Sequence, residues 1–192
     1  MADAVIVGKF VGTKGLAAVG ATGTITFLII GFLMGVTTGV TVLTSQKFGA
    51  GRMDEMRKTV GNAAILSAVI AVVMTAVSML GMHRLLVFMH TPEDIFDGAY
   101  GYIMIICAGI FTQVLYNLVS SILRALGNSK TPLYFLILAA GLNIVLDLVF
   151  IIFFHWGAPG AAWATVISQG VSGVLCLIYM WKAVPELKMK KE

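Results

Sequence analysis

Residues 133–154 read LYFLILAAGLNIVLDLVFIIFF, and this run decides the fold because it is long enough to cross a bilayer as one helix. A spanning helix needs about 20 apolar residues. Asn143 and Asp147 are the strongly polar residues of the run; they lie one helical turn apart, and the run contains no Lys or Arg. The run therefore predicts a transmembrane helix that buries an acid without a basic partner on the same helix.

The rest of the chain is equally apolar, with 59% hydrophobic and only 11% charged residues among 192, whereas soluble domains have about 25% charged residues. Four further runs are long enough to span, near residues 16–44, 59–82, 98–123 and 158–181. Lipid offers the backbone no hydrogen-bond partners, so only helices or closed barrels can span, and the runs lack the alternation of barrel strands. We predict an all-α, polytopic membrane helix bundle with five full transmembrane helices.

The amino-terminal stretch MADAVIVGKFVG is apolar but too short to span. Asp3 stands where a signal peptide would carry positive charge. We interpret the stretch as the end of a first helix whose beginning is missing from the sequence.

Lys and Arg collect in alternate loops. Four lie in residues 45–58, two in residues 124–131 and four in residues 182–192, which leaves three of the 13 for the other side. The positive-inside rule places the richer side, including the carboxy-terminal tail, in the cytoplasm. We expect a multi-pass protein of the plasma (inner) membrane, and this distribution argues against a nucleic-acid partner.

Small residues recur at a spacing of four in two runs, a pattern that lets helices approach closely in lipid. We therefore expect both stripes to pack against neighbouring helices. The first stripe is Gly31, Gly35 and Gly39, and the second is Gly160, Ala164, Ser168 and Ser172.

Asp147 is the residue that most strongly suggests chemistry. An ionised Asp near the centre of a spanning helix costs about 2.5–3.5 kcal/mol, and Asp147 lies roughly 10 Å from the outer end of its run. The carboxylate is protonated, binds a cation, faces a watery cavity, or serves a purely structural hydrogen bond. Asn143 offers a carbonyl to a cation or an amide to the carboxylate.

Gln113 and Asn117 form a second polar pair, which lines a substrate pathway or joins helices.

Five segments, in order along the chain, resemble the multidrug and toxic compound extrusion (MATE) family of secondary transporters. The resemblance favours its prokaryotic branch related to DNA-damage-inducible protein F. The segments are DAVIVGKFVGTKGLAAVG (3–20), TGVTVLTSQKFGAGR (38–52), ILRALGNSKTPLYF (122–135), LNIVLDLVF (142–150) and GAPGAAWATVISQ (157–169).

This resemblance implies twelve helices in two six-helix lobes around a central cavity. Residues 1–183 would form the amino-terminal lobe, with its first helix truncated, and residues 184–192 a cytoplasmic basic tail. The family exports organic, often cationic, small molecules against inward flow of Na⁺ or H⁺. Its cation site maps onto Asp3, Asn143, Asp147 and Thr165.

The expected function is therefore part of an Na⁺- or H⁺-coupled multidrug efflux antiporter, with no cofactor and no metal beyond possible Na⁺ at the coupling site. The expected partners are the bilayer, the organic substrate, and the missing second lobe or another chain. The alternative is a non-transporting fragment, or a half-transporter that needs a second lobe. No selectivity-filter repeat favours a channel. No HExxH or GxSxG motif favours an enzyme, so we do not expect enzymatic activity.

Overall fold

The structure is a computed structural model that describes residues 2–184, and within this range the chain is helical with short connections and no strand. The basic tail predicted for residues 184–192 lies almost wholly outside the described residues. The helices are α1 (Ala2–Phe10), α2 (Thr13–Gly49), α3 (Met53–Phe88), α4 (Glu93–Ala108), α5 (Ile110–Ala125), α6 (Lys130–Leu148), a π-helical segment (Val149–Phe153) and α7 (Gly157–Ala183).

Four of these elements are each long and apolar enough to cross a membrane: α2, α3, α7 and the combined stretch Lys130–Phe153. Helices α4 and α5 meet the same test together, although they are bent by 45° at their junction. The all-α membrane bundle predicted from hydropathy is confirmed, with five spans if the bent pair crosses as one. The nine residues of α1 are helical but too few to span.

Successive spans run in opposite directions, so every second connection lies at the same end of the bundle. We call the basic end the one formed by residues 50–52, residues 126–129 and the carboxyl end of α7. There Lys47 donates a hydrogen bond to Glu55, and Arg57 pairs with Asp54 at 3.0 Å. Because Lys47 stabilises the carboxylate, the pKa of Glu55 lies below its ordinary value. The Lys47–Glu55 contact ties α2 to α3, whereas Arg57 and Asp54 both lie on α3.

Helix α7 is the centre of the bundle and contacts α4, α5, α6 and the π-helical segment. Its predicted stripe of small residues is buried throughout, which confirms that it packs against neighbouring helices. A Cβ atom at Gly160 would lie 3.3 Å from the Cβ of Phe150, so close approach of the two backbones explains the missing side chain.

The prediction for the first stripe is wrong within the described chain. Gly31, Gly35 and Gly39 are exposed, and a Cβ atom at each would meet no atom within 4 Å. Small residues permit close packing but do not require that a partner be present.

At the bend between α4 and α5, Gly109 packs closely against α7. A Cβ atom there would lie 2.2 Å from Cγ2 and 3.1 Å from Cβ of Val166 on α7. Val166 cannot swing away, because its side chain is short and branched at Cβ. Beside the bend, the hydroxyl of Thr75 donates to the carbonyl of Cys107 at 3.3 Å. The bent span therefore rests directly on α7.

We predict that Gly109→Ala destabilises the chain by about 1–3 kcal/mol, because the added methyl group overpacks the contact with Val166. Thermal unfolding in detergent measures the change. Adding Val166→Ala to this variant should recover most of the loss.

Gly31→Ala is the matched control, since its position on α2 has open space around it. If Gly109→Ala unfolds at the same temperature as Gly31→Ala, the proposed contact does not determine the bend.

Candidate functional site

Three of the four predicted site residues are joined by hydrogen bonds, although they come from three different helices. The Thr165 hydroxyl on α7 lies 2.9 Å from Oδ2 of Asp3 on α1, and 3.0 Å from the carbonyl of Ala161. The Asn143 amide on α6 donates to the same hydroxyl at 3.3 Å. A hydroxyl has one proton, so Thr165 donates either to Asp3 or to its own helix. Thr165 is the link between α1, α6 and α7.

A small cavity of about 160 Å³ opens beside this link. Its polar lining comes from Asp3, Asn143, Thr165, Ser168 and Gln169, and its apolar lining from α6. Because the polar part of the lining consists of neutral oxygen and amide groups around one carboxylate, the cavity suits a small positively charged guest.

Asp147 is fully buried, and neither of its carboxylate oxygens has a hydrogen-bond partner among the described residues. Of the two roles that the sequence left open for Asn143, donation of its amide to this carboxylate is not seen, since the amide is directed to Thr165. Asp3 lies within electrostatic range of Asp147. Two acids thus share one region, and one of them has no protein group to satisfy it. A purely structural hydrogen bond does not explain Asp147.

Sequence reasoning missed Tyr102 on α4. Its side chain is buried, and both Asp3 and Asp147 interact electrostatically with its hydroxyl. Nothing in the surrounding YGYIMII stretch distinguishes this tyrosine from a packing residue. Its position brings a fourth helix to the acidic pair.

The π-helical segment was also not predicted. It begins at Val149, two residues after Asp147, and the amide of Phe154 donates to the carbonyl of Val149 at 3.3 Å across the wider turn. Stacking of Phe150 on Trp156, with ring centroids 5.1 Å apart, holds the far end of the segment. Such segments are rare and frequently lie at functional sites. The span therefore changes its helical geometry directly beside the buried acid.

Gln113 and Asn117 lie on α5 and do not join this group. The Asn117 amide donates to the backbone carbonyl of Gln113 at 2.9 Å, so it bonds within its own helix. Neither residue lines the small cavity, where Gln169 of α7 supplies the amide instead. A role for this pair in a substrate pathway stays a prediction.

The oxygen groups in this region are of a kind that suits a proton or a hard monovalent cation. The Asp3 carboxylate, the Asn143 amide carbonyl and the Thr165 hydroxyl lie beside the small cavity, whereas the Asp147 carboxylate is buried outside its lining. Across residues 2–184 no group of three or more His, Cys, Asp or Glu side chains is placed to share a metal ion.

The family model described as MatE matches residues 1–149, which is most of the chain. The chain belongs to the MatE family. A probable multidrug resistance protein, YpnP, of Bacillus subtilis (strain 168) is 33% identical over 180 residues, a match that covers 94% of this chain. DNA damage-inducible protein F of Escherichia coli (strain K12) is 28% identical over 173 residues and 88% of this chain. The resemblance seen in the sequence is confirmed.

Solved MATE structures have the same fold. An inward-facing multidrug resistance MATE family transporter of the MOP superfamily matches with a TM-score of 0.92 and 27% identity, over 97% of this chain and 43% of that one. The chain spans 40% of the length of YpnP and 36% of that of DNA damage-inducible protein F. It therefore corresponds to one lobe, the amino-terminal one, of a MatE protein.

We predict that Thr165→Val destabilises the chain by about 1.5–3 kcal/mol, because it removes a hydrogen bond to a charged group and leaves the Asn143 amide without an acceptor. Thermal unfolding of the purified chain measures this loss. Thr165→Ser keeps the hydroxyl and should cost less.

Ser168→Ala is the control, because the Ser168 hydroxyl bonds only to backbone carbonyls of its own helix, at 2.7 Å and 3.1 Å. A Thr165→Val variant as stable as Ser168→Ala would show that the link between α1 and α7 has no energetic weight.

Proposed function

We propose that this chain is the ion-coupling lobe of a multidrug efflux antiporter driven by Na⁺ or H⁺. The observation that carries the proposal is the fully buried, unpartnered carboxylate of Asp147 beside Asp3. A buried charge without a partner costs free energy. A coupling ion that binds beside the carboxylate offsets this cost for part of each transport cycle.

Coupling follows from the way Asp3 is held. When Asp3 is ionised, it accepts a hydrogen bond from Thr165, which ties α1 to α7. A proton or Na⁺ arriving between Asp3 and Asp147 competes with Thr165 for the Asp3 oxygens. The Thr165 hydroxyl then turns to the carbonyl of Ala161, which it already approaches within 3.0 Å. Ion binding thereby releases α1 and shifts the lobe between two arrangements.

The membrane orientation is part of the proposal. The basic end faces the cytoplasm of a plasma (inner) membrane and carries the carboxy-terminal tail, as the positive-inside rule requires. Asp147 lies near the opposite end of α6, so the coupling ion enters from outside, down its gradient.

The proposed exported substrate is an organic, cationic small molecule. A negatively charged site that accepts an inorganic cation or a proton also favours positively charged substrates. Competition between the substrate and the coupling ion for this site links the two fluxes. The name of the relative YpnP, a probable multidrug resistance protein, supports a drug-like substrate, and the proposed positive charge rests on the acidic site alone.

Transport in this proposal uses a second lobe. Alternating access needs two bodies that rock about a shared site, and the chain spans 40% of the length of YpnP. The second lobe comes from a longer form of the same chain or from another chain. Without it, we expect the chain to bind the coupling ion but not to transport.

We predict that Asp147→Asn, placed in a two-lobed transporter that contains this lobe, lowers efflux of a fluorescent organic cation at least about tenfold, because the amide neither binds nor releases the coupling ion. Efflux from drug-sensitive cells with matched expression measures the effect.

Asp97→Asn is the matched control, since Asp97 is an exposed acid on α4 that does not line the small cavity. Efflux by Asp147→Asn at the level of the Asp97→Asn control would refute coupling through Asp147.

A further inference from the structure

A second cavity lies at the basic end, away from the acidic site. It has a volume of about 310 Å³ and opens between the carboxyl end of α5 and the beginning of α6. The Tyr116 hydroxyl closes one side by donating to the carbonyl of Pro132 at 2.9 Å, which fixes the two helices around the opening. We call this cavity the basic groove.

Two cations line the basic groove, Arg124 at the end of α5 and Lys130 at the start of α6. No acidic side chain lines it, and neither cation forms an ion pair within residues 2–184. Arg124 donates only to the neutral hydroxyl of Ser121, at 3.2 Å. The described acids on this end of α3 are engaged elsewhere: Glu55 pairs with Lys47 of α2, and Asp54 pairs with Arg57 within α3. The groove therefore presents uncompensated positive charge.

The wall below the cations is apolar. Leu133 and Leu136 line the groove and are exposed. Beside them on the same part of α6 lie Tyr134 and Ile137, which are 67% and 61% exposed. A ligand that fits has an anionic head at the end of the span and a hydrocarbon portion along α6, which distinguishes it from a free anion.

We propose that the basic groove binds the phosphate headgroup of an anionic glycerophospholipid, with an acyl chain lying on Leu133 and Leu136. Basic pockets between transmembrane helices hold such headgroups by charge and hydrogen bonds. Arg124 contacts the phosphate as a planar donor and Lys130 as a point charge. Leu136 also lines the cavity beside Asp3, so the bound lipid lies against the helix that carries the acidic site.

To test this proposal, the purified chain is titrated with phosphatidylglycerol and, separately, with phosphatidylcholine, and native mass spectrometry measures the bound lipid. Wild type should bind phosphatidylglycerol in preference to phosphatidylcholine. Arg124→Gln and Lys130→Gln should each weaken phosphatidylglycerol binding about fivefold, and together about 30-fold. Both side chains are exposed, so each single variant gives a reading even if the double variant folds poorly.

Lys58→Gln is the matched control, because it removes one exposed cation from α3 at the same end, outside the groove. Equal loss of binding in this control would mean diffuse attraction, and unchanged binding in the double variant would mean that the groove is not the site. Displacement of the lipid by equimolar glycerol phosphate would show a free-anion site. Each of these three results overturns the proposal.

Discussion

The carboxylate of Asp147, fully buried and without a hydrogen-bond partner in the described chain, is the constraint on which this structure depends. An unpaired acid at that depth costs about 2.5–3.5 kcal/mol, a large part of the stability of an ordinary domain. Four helices bring polar groups toward it without satisfying it. Asp3 adds negative charge nearby, and Asn143 and Thr165 bond to one another. A single well-placed hydrogen-bond donor would have removed this free-energy cost, but the structure retains it.

The fold supports this arrangement mainly through α7. Its small residues let α4, α5, α6 and the π-helical segment approach its backbone, and Thr165 lies on the same helix as these packing positions. In the proposed cycle, α1 is displaced from Thr165 against a helix that is held on several sides. Such a pair is a suitable basis for a two-state element, because only one of the two partners has to move.

Much of the fold could be predicted from sequence because hydropathy is a local property. Each span is recognised from its own residues, and Asn143 and Asp147 stand out against an apolar run. The contact between Thr165 and Asp3 joins residues 162 positions apart and was predicted only from resemblance to a family. The close contact at Gly109, where the helix bends, is with Val166 of another helix, and the π-helical segment has no composition that separates it from α-helix. The stripe at Gly31, Gly35 and Gly39 failed for a related reason: a pattern of small residues tells how close a partner can come, but not whether one is there.

The central claim is that Asp147 alternates between an ion-bound and an ion-free state, and infrared difference spectroscopy of its carboxyl group tests this most directly. The spectra are recorded on the purified chain in lipid while pH and Na⁺ concentration are varied, and Asp147→Asn identifies the band. We predict that the band of the protonated carboxyl group disappears reversibly as pH rises, or that the carboxyl band shifts when Na⁺ is added at constant pH. A band that stays protonated at every pH and does not respond to Na⁺ would contradict it.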